Sequence, residues 1–376
     1  MTDPGTSIYE RYGVKPIINA AGTTTRWGGT IMDPAVLKAM EEAARHTVDI
    51  DELNKAAGEL IAKATGAEAG LVAAGAASGM TLQAAACMTG TDPAKINRLP
   101  DTTGMKNEIV MQKSHRLMYD HAYRSAGATI VEIGNARETL AWELEAAINE
   151  NTAAVAYVIS SGLTPRSLPL DQVVEVAHKN GVPVIVDAAP SLPPPENLQK
   201  FTAIGADMVA YSGGKGLRGP QSAGVLCGTK ALIEAATLNF SPNDSVGRGM
   251  KVCKEEIIGL VTALELYLQR DHEADVREWR GYAETISDAL VEVPGLKVVV
   301  EYDKVNHPVP SAVIYLTDEW TGPTGSELVT ALRKGETPIY LRSIGSGNGI
   351  TVNPHNFRPE EMGAVIKGLR QALLNS

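Results

Sequence analysis

Cysteine is scarce in this sequence. Cys87, Cys227 and Cys253 are the only three, odd in number and far apart. That usage suits a reducing cytoplasm, and the spacing offers no metal-ligand pattern. Long apolar runs are also missing, so no membrane span is expected. The opening Met1-Thr2-Asp3-Pro4-Gly5 lacks both the basic start and the apolar centre of a signal peptide. Positive charge is in deficit: 34 Lys and Arg face 44 Asp and Glu, a net charge of -10. Such a chain is a poor partner for nucleic acid or an anionic membrane in general. No repeat and no low-complexity tract is found. What remains is a composition of 44% hydrophobic and 21% charged residues, that of a soluble globular protein. Its 376 residues exceed one core and suit a large domain with a smaller one.

Three regions follow from the pattern. Residues 1–32 read as an N-terminal arm, rich in small and hydroxyl residues from Ile17 to Thr30, which must pack on this chain or on a partner. Asp33-Pro34 then gives a helix start. Two amphipathic helices are expected at roughly 34–46 and 51–65, the second ended by Gly66. Within residues 33–254 the rhythm becomes strand, loop, helix. Short apolar runs at Gly70–Ala73, Glu108–Met111, Thr129–Ile133, Ala153–Ile159, Pro183–Val186, Met208–Tyr211 and Ala223–Cys227 read as strands. Continuous apolar strands between amphipathic helices predict an α/β fold, a mainly parallel seven-stranded sheet covered on both faces. Residues 255–376 read as a small C-terminal α+β domain.

In such sheets ligands bind at the carboxyl ends of the strands. Ser78, His115, Ser160, Ser161, Asp187 and Lys215 all fall just after predicted strands. Any one is explained as an ordinary core or cap residue; six at one edge are harder to explain so. Lys215 lies in Tyr211-Ser212-Gly213-Gly214-Lys215-Gly216-Leu217-Arg218-Gly219-Pro220. Glycine there permits tight turning and close approach. The lysine is either a solvated residue at a hairpin tip or an amine presented to a pocket, as in Schiff-base chemistry. Asp187 ends a buried strand, where a carboxylate is costly without a positive partner such as a protonated ring nitrogen. A helix cap is the plainer reading, but Pro190 and Pro193–Pro195 leave little helix to cap. Gly75-Ala76-Ala77-Ser78-Gly79 opens a helix, whose free N–H groups suit a phosphate, and Ser212 could add a further hydrogen bond. His115 can lie flat on an aromatic ring or serve structure alone. Arg342 is the candidate for a two-pronged carboxylate grip, with Arg26 as a second anion binder.

Together these residues resemble the fold-type I pyridoxal-phosphate enzymes of the aspartate-aminotransferase superfamily. The order agrees: glycine-rich turn into a helix, His, Asp after a strand, then Ser-x-x-Lys. Four segments look like the selenocysteine synthase (L-seryl-tRNA selenium transferase) family. They are Ile18-Asn19-Ala20-Ala21-Gly22-Thr23, Val186-Asp187-Ala188-Ala189, Ser212 to Gln221, and Gly247-Arg248-Gly249-Met250-Lys251. They look most like its branch of D-glucosaminate-6-phosphate ammonia-lyase type, and the likeness runs over nearly the whole chain.

The resemblance implies pyridoxal 5'-phosphate bound covalently on Lys215, which also moves protons at the substrate's α-carbon. It implies that Asp187 keeps the ring nitrogen protonated and that His115 stacks on the ring. Gly75, Ala76, Ala77 and Ser212 would hold the phosphate, and Ser160 or Ser161 would reach the ring hydroxyl. Arg342 would hold the substrate carboxylate, with Arg26 and Thr30 of the arm as further substrate contacts. Arg26, Arg218 or Arg248 could take a substrate phosphate. Family members that act on tRNA carry an extra segment before the arm, and here the arm begins about seventeen residues in. A small amino acid is therefore the expected substrate.

The implied reaction is α-proton removal, β-elimination and release of a 2-oxo acid and ammonia. An aldolase, a racemase or a selenium or sulfur transferase uses the same carbanion, and a non-catalytic cofactor-binding partner is the reading from another class. A homodimer or larger homo-oligomer is expected, with Gly247–Lys251 reaching a neighbour's phosphate.

Overall fold

A computed structural model describes residues 7–160 and 167–374. In chain order its strands are β1 (Ile18–Asn19), β2 (Ala69–Ala73), β3 (Glu108–Gln112), β4 (Thr129–Ile133), β5 (Thr152–Val158), β6 (Val184–Asp187) and β7 (Met208–Ser212). There follow β8 (Gly224–Gly228), β9 (Leu296–Asp303), β10 (His307–Leu316), β11 (Ile339–Tyr340), β12 (Arg342–Ile344) and β13 (Gly349–Val352). The helices that matter below are α1 (Pro34–Ala44), α2 (Ile50–Thr65), α3 (Gly75–Thr89) and α4 (Pro93–Arg98). Next come α5 (His121–Ser125), α6 (Ala141–Ala147), α7 (Leu170–Lys179), α8 (Asn197–Ile204), α9 (Lys230–Leu238) and α10 (Lys254–Gln269). The last three are α11 (His272–Leu290), α12 (Gly325–Lys334) and α13 (Met362–Leu374).

The chain divides into two compact units, Thr30–Arg270 and a second made of Met1–Gly29 with Asp271–Ser376. In the larger unit seven strands form one sheet in the order β2-β8-β7-β6-β5-β3-β4. Only β8 runs antiparallel to its neighbours β2 and β7. The chain crosses from β2 at one edge to β3 and β4 at the other, then returns through β5, β6 and β7.

Strand sequence explains the layering. All seven residues of β5 are buried, as are all of β6 and β8. A strand with no polar face needs cover on both sides. One core, with Val110, Val155, Val186 and Val209, packs under α2, α7, α8 and α10. The other, with Ile109, Ala156, Ile185 and Met208, packs under α3 and α9. Each large aliphatic side chain so buried contributes about 1.5–3 kcal/mol. Helix starts follow local chemistry. Asp33 accepts from Ala35 N at 2.8 Å ahead of Pro34, and Asp49 accepts from the N–H groups of Asp51 and Glu52. Gly66, at φ 68°, ends α2.

The other unit is built from the chain's two ends. Its sheet has the antiparallel order β12-β13-β10-β9, packed with α11, α12 and α13. The arm joins it through β1, which pairs in parallel with β11, Ile18 opposite Ile339. The arm thus packs on this same chain. The division between units falls after Arg270, later than the 254/255 boundary expected above. The reason is α10, whose Ile257, Leu260 and Leu264 belong to the large unit's core.

Candidate active site

The carboxyl edge of the large sheet carries the candidate residues. Strand β7 ends at Ser212 and antiparallel β8 begins at Gly224, directly opposite it. The lysine loop lies between them, closed by backbone bonds. Gly213 N donates to Ala223 O at 2.9 Å, Gly219 N to Gly213 O at 2.8 Å, and Arg218 N to Lys215 O at 2.9 Å. Glycine at 213, 214 and 216 is dictated by crowding. A Cβ on Gly214 would lie 2.4 Å from Gln221 Cα, and one on Gly216 would lie 2.4 Å from Leu192 O. Thr30 Oγ1 donates to Gly214 O at 3.2 Å, which ties this arm-end residue to the lysine loop. Arg218 has φ 55°, a left-handed conformation that costs an L residue about 1–2 kcal/mol.

Asp187 ends β6, the strand next to β7. It is 5% exposed, and its Oδ1 accepts from Ala189 N at 3.0 Å. Burial raises its pKa, while the Ala189 N–H and the charge of Lys215 pull it back. The net direction is upward, so the carboxyl lacks a full complement of positive partners. From below, Gln83 of α3 donates to Val186 O at 3.1 Å and to Met208 O at 3.3 Å. It thereby links β6 and β7 just beneath Asp187. Sequence reading passed over Gln83, because one buried amide in an apolar helix carries no spacing signal.

Helix α3 starts at Gly75, with φ +76°, against β8. A Cβ on Gly224 would lie 2.6 Å from Gly75 C and 2.9 Å from Ala76 N. Crowding therefore requires glycine at 224, while Gly75 is favoured by its positive φ. In the helix's first turns the buried hydroxyl of Ser78 has no hydrogen-bond partner. An orphaned hydroxyl beside free helix N–H groups suits a bound phosphate. Ser212 is half-buried, and Ala77 is exposed.

His115, after β3, is 1% exposed. Its Nδ1 accepts from Val158 N at 3.3 Å, and its Nε2 meets Ser167 Oγ at 2.7 Å. Accepting at Nδ1 places the proton on Nε2, which donates to Ser167. The ring meets Tyr157 edge-on, centroids 4.5 Å apart. Burial lowers its pKa from 6.5 to about 4, so the ring is neutral near pH 7. The unfolded chain binds this proton more readily than the native state. The associated stability is full above pH 6.5 and is lost as pH falls through about 4. Urea unfolding should show a loss of about 3 kcal/mol over that window. In His115→Gln that part of the slope should vanish; an unchanged slope would assign the acid sensitivity to other groups.

Ser160 is half-buried just beyond β5; Ser161 lies outside the described residues. Arg342 and Arg26 belong to the unit formed by the chain's ends. Both are exposed, and Arg342 Nη2 donates to Thr24 Oγ1 at 2.8 Å, two residues before Arg26. The structure thus gathers Lys215, Asp187, Ser212, Thr30 and the start of α3 in one unit, and Arg26 with Arg342 in the other. Ser167, which holds His115, was not anticipated, since nothing in its neighbourhood distinguishes it from other loop serines.

A single antiparallel strand next to the sheet edge, a lysine hairpin across it and a buried Asp one strand further on belong to a known architecture. It is the fold of the fold-type I pyridoxal-phosphate enzymes. An alanine–glyoxylate aminotransferase from Nostoc sp. shares that fold alone, with TM-score 0.62 and 17% identity over 99% of this chain and 97% of that one. Residues 17–278 match the family described as L-seryl-tRNA selenium transferase, and the chain belongs to this family. A D-glucosaminate-6-phosphate ammonia lyase from Salmonella typhimurium is 34% identical over 97% of each chain. A solved structure of D-glucosaminate-6-phosphate ammonia-lyase superposes with TM-score 0.87, 34% identity and 99% coverage of both chains. A 5'-C-glycyluridine monooxygenase-decarboxylase from Streptomyces sp. is also 34% identical, over 100% of this chain and 94% of its own. Among the described residues no helix is long and apolar enough to cross a membrane.

Proposed function

We propose that the chain is a pyridoxal-phosphate-dependent ammonia-lyase acting on a small, phosphorylated β-hydroxy amino acid. The observation that carries this reading is the buried Asp187 within the field of Lys215, at the strand ends of a fold shared with an ammonia lyase at 34% identity. The residues present fit the cofactor. Asp187 is a buried acid short of positive partners, and Ser78 is an orphaned hydroxyl at a helix N-terminus.

In this reading Lys215 would hold the cofactor covalently and Asp187 would keep a proton on its ring nitrogen. The N–H groups of Gly75, Ala76 and Ala77, with the hydroxyl of Ser212, would hold its phosphate. His115 would lie against the ring, and Ser160 or Ser161 would reach the ring hydroxyl. When bound, the cofactor supplies an electron sink for the pair left on the substrate's α-carbon. Exchange with the substrate's amino group would free the Lys215 amine, which would take the α-proton and, as its conjugate acid, return it to the departing β-hydroxyl so that water leaves. The ring nitrogens of His115 are engaged by Val158 N and Ser167 Oγ, which assigns it to holding the cofactor ring rather than to that proton transfer. Arg342, Arg26 and Thr30 are assigned to the substrate, Arg342 to its carboxylate. Glycine at 214 and 216 lets Gln221 and Leu192 pack directly against the turn that carries the lysine.

The holoprotein should convert D-glucosaminate 6-phosphate, or a close β-hydroxy amino acid, to ammonia and a 2-oxo acid in equal amounts. Oxygen uptake with carbon dioxide release, and no ammonia, would replace this reading with oxidative decarboxylation, the chemistry in the Streptomyces relative's name. We further propose a homo-oligomer. Its support is the exposed run Leu117, Met118 and Tyr119, the second of these 92% exposed. Light scattering on the same preparation reads this directly, and an active 39.8 kDa species would refute it.

A further inference from the structure

We infer that Arg218 is a specificity-determining residue whose guanidinium takes the substrate's phosphate. This inference rests on the proposed lyase function. Arg218 is the one non-glycine residue with positive φ among the described residues, at 55°. Glycine adopts that conformation freely, and an L side chain does not. The same loop shows that glycine is available to it, at positions 213, 214, 216 and 219. At 213, 214 and 216 crowding requires glycine, because an added Cβ would lie 2.6, 2.4 and 2.4 Å from its nearest neighbour. At 218 the backbone favours glycine, yet the sequence supplies a long cationic side chain. Strain kept in such a place points to use of the side chain.

The turn also fixes where the residue sits. Arg218 N is bonded to Lys215 O at 2.9 Å, and Gly219 N to Gly213 O at 2.8 Å. The guanidinium is thus carried on the same closed turn as the lysine, three residues on. Its planar fork matches phosphate by two parallel hydrogen bonds. Two phosphates are in question, the cofactor's and the substrate's. The first has donors of its own at the start of α3, including the orphaned Ser78 hydroxyl. On this turn the cations are Lys215 and Arg218, and Lys215 is already assigned to the cofactor, which leaves Arg218 for the second.

The test compares wild-type holoenzyme with Arg218→Gly and Arg218→Lys. Ligands are D-glucosaminate and its 6-phosphate, with binding read from the visible absorbance of the bound cofactor. Cofactor affinity is titrated separately. Glycine removes the guanidinium and relaxes the turn, so this variant should melt at a higher temperature than wild type. Wild type should prefer the phosphate ester by roughly 10- to 100-fold, the range of a charge-assisted hydrogen bond. Arg218→Gly should lose that preference while its cofactor affinity and its binding of the unphosphorylated compound stay within about twofold. Arg218→Lys should keep part of it. An intact preference in Arg218→Gly overturns the assignment. So does a loss confined to cofactor affinity, which would give Arg218 to the cofactor's phosphate. A wild type that binds both compounds equally overturns the assignment alone. One that binds neither and releases no ammonia from either overturns the lyase reading as well.

Discussion

Lys215→Ala should release no ammonia at a measurable rate and should carry no borohydride-fixed cofactor mass. A positioned proton-transfer group contributes about 10²–10⁴-fold to rate, and this lysine is asked to hold the cofactor too. The loop itself should survive the change. Its closing bonds run between backbone atoms of Gly213, Gly219, Ala223, Arg218 and Lys215, and none needs the lysine side chain. Peptide mapping of the reduced wild type should place the adduct on the peptide containing Lys215. An adduct on a different lysine, or a Lys215→Ala protein with wild-type turnover, would remove the basis of the proposed chemistry.

Asp187→Asn should lower turnover by roughly 10²–10⁴-fold, because breaking a buried charge pair costs about 3–5 kcal/mol. Asparagine can still accept from Ala189 N but cannot hold a proton on a ring nitrogen. The same substitution should have the opposite sign in the cofactor-free protein. Burial raises the Asp187 pKa, so the folded chain keeps this proton longer than the unfolded chain. The favourable contribution is full below the ordinary carboxylate range and is lost as pH rises through the raised value. At neutral pH the uncompensated charge therefore costs stability, and removing it should raise the melting temperature of the apoprotein. Calorimetry of both proteins without cofactor, beside steady-state kcat with it, checks the pair of signs. A lower apoprotein melting temperature for Asp187→Asn would mean that a cation already compensates the carboxylate.

Much of this arrangement was legible from residues alone, for identifiable reasons. The seven strands of the large sheet were readable because each is built around a short apolar run, as in β5 and β6. Asp33-Pro34 and Gly66 marked helix ends by their own stereochemistry. Gly75-Ala76-Ala77-Ser78-Gly79 was read as opening a helix, and α3 does start at Gly75. Gly75 there is favoured by its positive φ of 76°, and the helix start packs so closely on β8 that position 224 must be glycine. The helices α4, α8 and α9 went unread between stronger patterns, and β12 and β13 are too short to show alternation. At the site, Lys215 and Asp187 stood out because their types contradict their surroundings. Ser167 and Gln83 did not, since their partners are about 50 and 100 residues away in sequence. The left-handed turn at Arg218 was likewise invisible, because no residue type announces a conformation that it resists.

The pairing of Ile18 with Ile339 has a bearing on how the molecule is made. A ribosome emits the first partner roughly 320 positions before the second. Domains fold as units while synthesis proceeds, so the stretch from Thr30 to Arg270 can acquire its own core first. The leading segment must stay unpaired for most of translation, its apolar Ile17 and Ile18 open to solvent or to a chaperone. Maturation then ends with the joining of head to tail, and loss of the last hundred or so residues would leave the beginning of the chain without its mate.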